Sequence, residues 1–129
     1  MISKSEQAYY AALCSAVPQE FHIFPQVNLA AFIVRTDNAR FQNELFRNVD
    51  FLITSAKYQP LMIVEINDQT HYSTERKERD EKVRNICEEA GIPILTLWTQ
   101  YGINPEYIKK RIEETLASLP ISRVPHFIQ

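Results

Sequence analysis

The chain reads as an α/β protein with a central mixed β-sheet flanked by α-helices, and three observations predict it. Helical and strand patterns follow one another in the mixed order helix, strand, hairpin, helix, strand, helix. The run Leu61-Met62-Ile63-Val64 is apolar without alternation, as expected of a central strand covered on both faces. Finally, 129 residues at 45% apolar composition are enough to bury one core. A single domain over residues 1–119 is therefore expected, followed by a surface tail over 120–129 that carries two prolines.

The elements can be justified in order. Ser5 is the expected N-cap of a first helix running to about Val17, with Tyr10, Leu13 and Val17 on its apolar face and Pro18 as its stop. Residues 21–27 are expected to form a short strand with Pro25 near an edge, and residues 37–47 a turn or short helix. Two strand-like runs, 49–55 and 61–67, are separated by Ala56-Lys57-Tyr58-Gln59-Pro60 and read as a β-hairpin. A helix follows from Ser73 or Thr74 to Ala90, ended by Gly91 and Pro93. Residues 94–98 give another strand, and Asn104-Pro105 opens a last helix with Tyr107, Ile108, Ile112 and Leu116 at its apolar positions.

Composition narrows the function. The opening residues lack the apolar run of a signal peptide and no stretch is long enough to span a membrane, so a cytoplasmic protein is expected. Cys14 and Cys87 show no metal-ligand spacing and read as buried, reduced thiols. With a net charge of -2, any grip on nucleic acid must come from a local basic patch.

Glu65 ends the most apolar strand, where an unpaired charge is costly and a partner is needed. If the hairpin loop holds residues 57–60, Ala56 faces Leu61, Leu52 faces Glu65 and Asp50 faces Asn67. Asp50, Leu52, Glu65 and Asn67 then share one face, with Asp50 diagonal to Glu65. A loop longer or shorter by one residue would flip this parity. Two such carboxylates suit Mg²⁺ or Mn²⁺ rather than zinc. In the bland alternative they are exposed strand ends or are neutralised by an arginine of the next helix, Arg76 or Arg79, which could equally hold a phosphate. His71, in the turn six residues after Glu65, reads as a general base, a phosphate contact, a metal ligand or simple surface decoration. Glu6, on the first helix, reads most simply as a complement to the helix dipole.

Taken together, Glu6, Gln26, Val49-Asp50-Phe51, Ile63-Val64-Glu65-Ile66-Asn67-Asp68, His71, Arg79-Asp80 and Ala90-Gly91-Ile92-Pro93 form an ordered pattern. It resembles a bacterial domain-of-unknown-function family, number 2726, which is itself similar to the very-short-patch-repair endonucleases and other PD-(D/E)XK nuclease-like domains. The resemblance covers roughly residues 5–98 and implies a restriction-endonuclease-like fold. It also implies that Asp50 and Glu65 bind the metal, with the carbonyl of Ile66 and the carboxylate of Glu6 as further ligands and Gln26 reaching in from the preceding strand. The implied reaction is Mg²⁺- or Mn²⁺-dependent phosphodiester hydrolysis on DNA, assisted by His71 or Arg79. Asn67 departs from the pattern: the classical motif carries lysine there, and asparagine supplies neither a cation nor a base. The expectation is thus a DNA endonuclease domain, acting as a homodimer or within a larger protein. Its alternative is an inactive nucleic-acid-binding or protein-interaction module that keeps the fold.

Overall fold

A computed structural model describes residues 3–33, 47–71 and 73–119, apart from the side chain of His71. The expected turn or helix over 37–47 falls outside these residues except for Arg47, as does the tail over 120–129.

Helix α1 spans Lys4–Ala16. Its cap is Ser3 rather than Ser5: the Ser3 hydroxyl accepts from the Glu6 backbone N–H at 3.1 Å and donates to the Glu6 carboxylate at 3.3 Å. This reciprocal pairing satisfies the first turn, leaving Ser5 inside the helix. Strands β1 (His22–Asn28), β2 (Asn48–Thr54) and β3 (Pro60–Asn67) follow. Helix α2, Thr74–Glu89, is capped by the Ser73 hydroxyl and closed by Gly91 at φ 77°. Strand β4 is Ile94–Trp98, and helix α3, Pro105–Ala117, starts on an Asn104 cap.

The four strands form one open sheet in the order β1-β2-β3-β4. The β1/β2 and β2/β3 pairs are antiparallel, whereas β3 and β4 are parallel. A parallel neighbour needs a crossover, and α2 supplies it. On one face, α1 and α3 pack over Phe51, Ile53, Met62, Val64, Leu95 and Leu97 through Leu13, Ile108 and Ile112. On the other, Val83, Ile86 and Cys87 of α2 cover Leu52 and Ile63. The apolar run of β3 is thus sandwiched between two helical layers, as its lack of alternation requires. Of the two thiols only Cys87 is buried; Cys14 is exposed, because its place on α1 lies off the Tyr9, Ala12, Leu13 stripe that meets the sheet.

The hairpin differs from expectation in register. Leu52 faces Ile63 and Phe51 faces Val64, two residues away from the expected pairing. The loop holds three residues, Ala56-Lys57-Tyr58, closed by Tyr58 N–H to Ser55 C=O at 2.9 Å and Ser55 N–H to Gln59 C=O at 2.8 Å. Tyr58 takes the left-handed position of this turn, at φ 65°. A β-bulge opposite Ile53 and Thr54 then adds one residue, Leu61, to β3. The shorter loop and the bulge together shift the register by an even number, so side-chain parity is kept.

Candidate functional site

Where β2 enters the sheet, its alternation breaks. Val49 packs with the α2-side cluster, whereas Phe51, two residues on, packs with the α1/α3-side cluster. Between them lies Asp50, which the β1/β2 register sets across from Gln26, a residue held at φ 52°. This local reversal turns the Asp50 carboxylate toward β3, where Oδ2 accepts the backbone N–H of Ile66 at 2.7 Å. A side chain thus takes a bond that would otherwise fall to a ladder partner, and the β2/β3 sheet opens at this end.

Glu65 is the next residue of β3 in the register beyond the Phe51/Val64 pair. It is 8% exposed, and its carboxyl is pushed up to about 8 by burial first and then by the adjacent charge of Asp50, with which it is hydrogen-bonded. Arg47, at 3.9 Å from Glu65 Oε1, opposes that shift only in part. Arg47 also ion-pairs with Asp80 of α2, both side chains being mostly buried. Cys87, beneath the same face, has its thiol pushed up to about 12 by burial and by the charge of Glu65, which keeps it protonated and unreactive.

Of these groups, Arg47, Glu65 and Asp80 border a cleft of about 330 Å³ between α2 and the sheet, whereas Asp50 is not part of its lining. Its lining includes Arg47, Glu65, Asn67, Lys77, Arg84 and Trp98. Asn67, buried, lies opposite Trp98 in the parallel register, and Arg84 donates to Thr96 Oγ1 at 3.4 Å.

The candidates from sequence therefore separate. Asp50, Glu65 and the backbone of Ile66 come together, and Asn67 lies two residues along the same strand. Glu6 accepts from the Gln26 side chain at 2.6 Å on the α1 side. It does not complete a three-acid cluster: among the described residues no group of three or more His, Cys, Asp or Glu is placed to hold a metal ion. Arg79 is exposed, and neither it nor Arg76 lines the cleft; the cations there are Arg47, Lys77 and Arg84. Lys57 and Lys82 are exposed, on the hairpin tip and on α2. The backbone of His71 lies in a short 3-10 turn, Gln69–His71, but its side chain is outside the described residues. Sequence reasoning missed Arg47, whose segment carried no periodic pattern. Lys77, Glu81 and Arg84 had a usable signal, since with Asp80, already part of the sequence pattern, their helical spacing continues the buried stripe of α2 as a polar one.

No described helix is long and apolar enough to cross a membrane. Among known proteins, the chain is similar to a Haemophilus influenzae protein described as uncharacterized, 30% identical over 105 residues that cover 79% of this chain and 55% of the relative. The chain thus spans about half the length of that relative. No solved structure matches it. A family profile described as a protein of unknown function (DUF2726) matches residues 1–116, and the chain belongs to that family.

Proposed function

We propose that this chain is a PD-(D/E)XK-like nuclease domain that hydrolyses phosphodiester bonds in DNA with Mg²⁺ or Mn²⁺. The observation that carries the reading is the pairing of Asp50 with a buried Glu65 where the sheet opens. Two acids held this close repel one another once ionised, an arrangement that serves folding poorly and cation binding well. The strand order, with two antiparallel pairs and then a parallel one reached through α2, supports a restriction-endonuclease-like fold.

The donor set fits a hard divalent cation. Asp50 and Glu65 offer carboxylate oxygens, leaving the remaining positions to the Ile66 carbonyl, water and phosphate. The chemistry such an ion supplies when bound is activation of water and neutralisation of charge developing on phosphorus. The chain's own residues do the rest. The Ile66 N–H fixes the Asp50 carboxylate, and Arg47 faces Glu65. Lys77 and Arg84, which line the cleft beside Asp80 and Glu81, are the cations that would meet a phosphate there. Asn67 orients water by hydrogen bonding without adding a cation.

The test is cleavage of duplex, single-stranded, mismatched and branched DNA with Mg²⁺ or Mn²⁺. Activity is expected on at least one substrate and should fall by about 100-fold or more in Asp50→Asn and Glu65→Gln, a loss of more than ~2.7 kcal/mol in barrier terms. Cleavage that survives both substitutions would end the reading. Asn67 in place of lysine, with Arg47 already beside Glu65, favours a second reading, an inactive module that keeps the fold. Asn67→Lys separates the two, since a gain of cleavage points to a catalytic scaffold lacking one cation.

A further inference from the structure

At the end of the sheet away from Asp50, three rings lie together on the surface. Tyr58 of the hairpin stacks on His22 of β1, with centroids 4.3 Å apart and planes within 7°. Phe24 closes the group at 6.3 Å from Tyr58 and 6.1 Å from His22. Tyr58 is 62% exposed and Phe24 38%. A contiguous exposed aromatic group of this kind needs an explanation that scattered apolar residues do not.

Two features show how the ledge is held. The His22 ring nitrogen Nε2 lies 3.2 Å from the Ala56 carbonyl, fixing the ring against the turn. Tyr58 occupies the left-handed position of the three-residue loop, where glycine is the unstrained choice. A bulky residue is kept there at a conformational cost, and its ring is thereby presented to solvent. The ledge and the carboxylates also share a sheet face. Phe24 faces Leu52 and Leu52 faces Ile63, both in the α2-side cluster, and Glu65 follows Ile63 by two residues. His22 faces Thr54, four residues along β2 from Asp50, a separation of roughly 13 Å at ~3.3 Å per residue. Lys57, exposed, is next to Tyr58, and the cleft beyond is lined by Arg47, Lys77 and Arg84 together with Glu65, Asp80 and Glu81, so among the described residues the lysine at the ledge itself is the cation nearest to a stacked strand.

We propose that the His22–Phe24–Tyr58 ledge is a stacking platform for an unpaired nucleobase of a single-stranded stretch whose backbone continues toward the cleft that Glu65 lines. This rests on the nuclease reading for the identity of the ligand and narrows it to substrates with unpaired bases. A base in a duplex has both faces covered by its neighbours, whereas an unpaired one offers a π-face that stacks on aromatic rings whatever its sequence.

Binding to the full chain without divalent ion, read by fluorescence anisotropy, tests the ledge apart from cleavage. The probes are a strand of about ten thymidines, an abasic strand of equal length and a duplex. The wild type is expected to bind the thymidine strand about 5-fold to 100-fold more tightly than the abasic one, and more tightly than the duplex. Tyr58→Gly should erase that preference while the melting temperature stays level or rises, since glycine relieves the turn. Tyr58→Trp should retain it. Equal binding of thymidine and abasic strands by the wild type, or a preference that survives Tyr58→Gly, overturns the platform. Glu65→Gln changes the cleft for both strands alike, so it is read only through the ratio of thymidine to abasic binding, which should persist. Lost cleavage with this preference intact therefore counts against nothing proposed for the ledge, and a lost preference with cleavage intact leaves the nuclease reading standing.

Discussion

Asp50 has two opposing effects on stability. Its carboxylate satisfies the Ile66 N–H at 2.7 Å, a charge-assisted bond at a partly buried position, and it also places negative charge beside Glu65. Asparagine keeps an acceptor and removes the charge, whereas alanine removes both. At pH 8.5 to 9, above the raised value of Glu65, Asp50→Asn is expected to melt above wild type and Asp50→Ala about 1–3 kcal/mol below Asp50→Asn, the cost of an orphaned donor. Equal melting of the two variants would mean that the Ile66 bond contributes nothing. Glu65 adds a pH dependence of defined sign. Its folded carboxyl is raised from 4.5 to about 8, so between those values the folded chain holds a proton that the unfolded chain has released. Stability then falls as pH rises from about 5 through 8 and levels off above. Urea midpoints measured from pH 5 to 9 should show that decline in wild type and lose most of it in Glu65→Gln. A Glu65→Gln profile as steep as wild type would assign the decline to other groups.

At the scale of elements, the hairpin shows what the sequence could and could not reveal. The start of α3, the stop of α2 and the existence of β3 were legible because they rest on local chemistry: Asn104-Pro105, Gly91 and an unbroken apolar run. The register was not, since it depends on a loop of three residues and on a bulge that no pattern marks. The three-residue loop alone would have put Asp50 and Glu65 on opposite faces, and the bulge opposite Ile53 and Thr54 restores the parity. Asp50 and Glu65 thus lie together by a different pairing from the one the sequence suggested. Arg47 was illegible for another reason: its partners are Glu65 on β3 and Asp80 on α2, contacts that only the tertiary fold creates. That triad joins the entry of β2 to the crossover helix. Replacing Arg47→Met leaves Asp80 and Glu65 without their cation, at a cost between the ~1 kcal/mol of an exposed pair and the ~3–5 kcal/mol of a buried one. Amide exchange along α2 should speed up more than exchange along α1, and uniform acceleration would show that the triad does not clamp the helix.

On the scale of the whole molecule, among the described residues two helices on one face and one on the other bury the centre of the sheet and leave acidic groups at its opened end. Helical layers supply the burial that raises the Glu65 carboxyl, and the cleft between α2 and the sheet supplies the access. A divalent ion bound by Asp50 and Glu65 would favour the folded state by mass action, because the unfolded chain separates the two residues. For an assumed affinity of about 1 mM and about 10 mM Mn²⁺, the gain is ~1.4 kcal/mol, or about 4–8 °C in melting temperature for a domain of this size. The ion must displace the proton that Glu65 holds below about 8, so the rise should be larger at pH 8.5 than at pH 6. Calcium should reproduce it, since oxygen ligands satisfy both ions. Glu65→Gln should remove it, and Glu6→Gln should leave most of it, because Glu6 is tied to Gln26 and Ser3 rather than to the pair. A melting temperature indifferent to Mn²⁺ at both pH values, or a rise that persists in Glu65→Gln, would show that the paired carboxylates do not bind the ion and would remove the main support for phosphodiester hydrolysis.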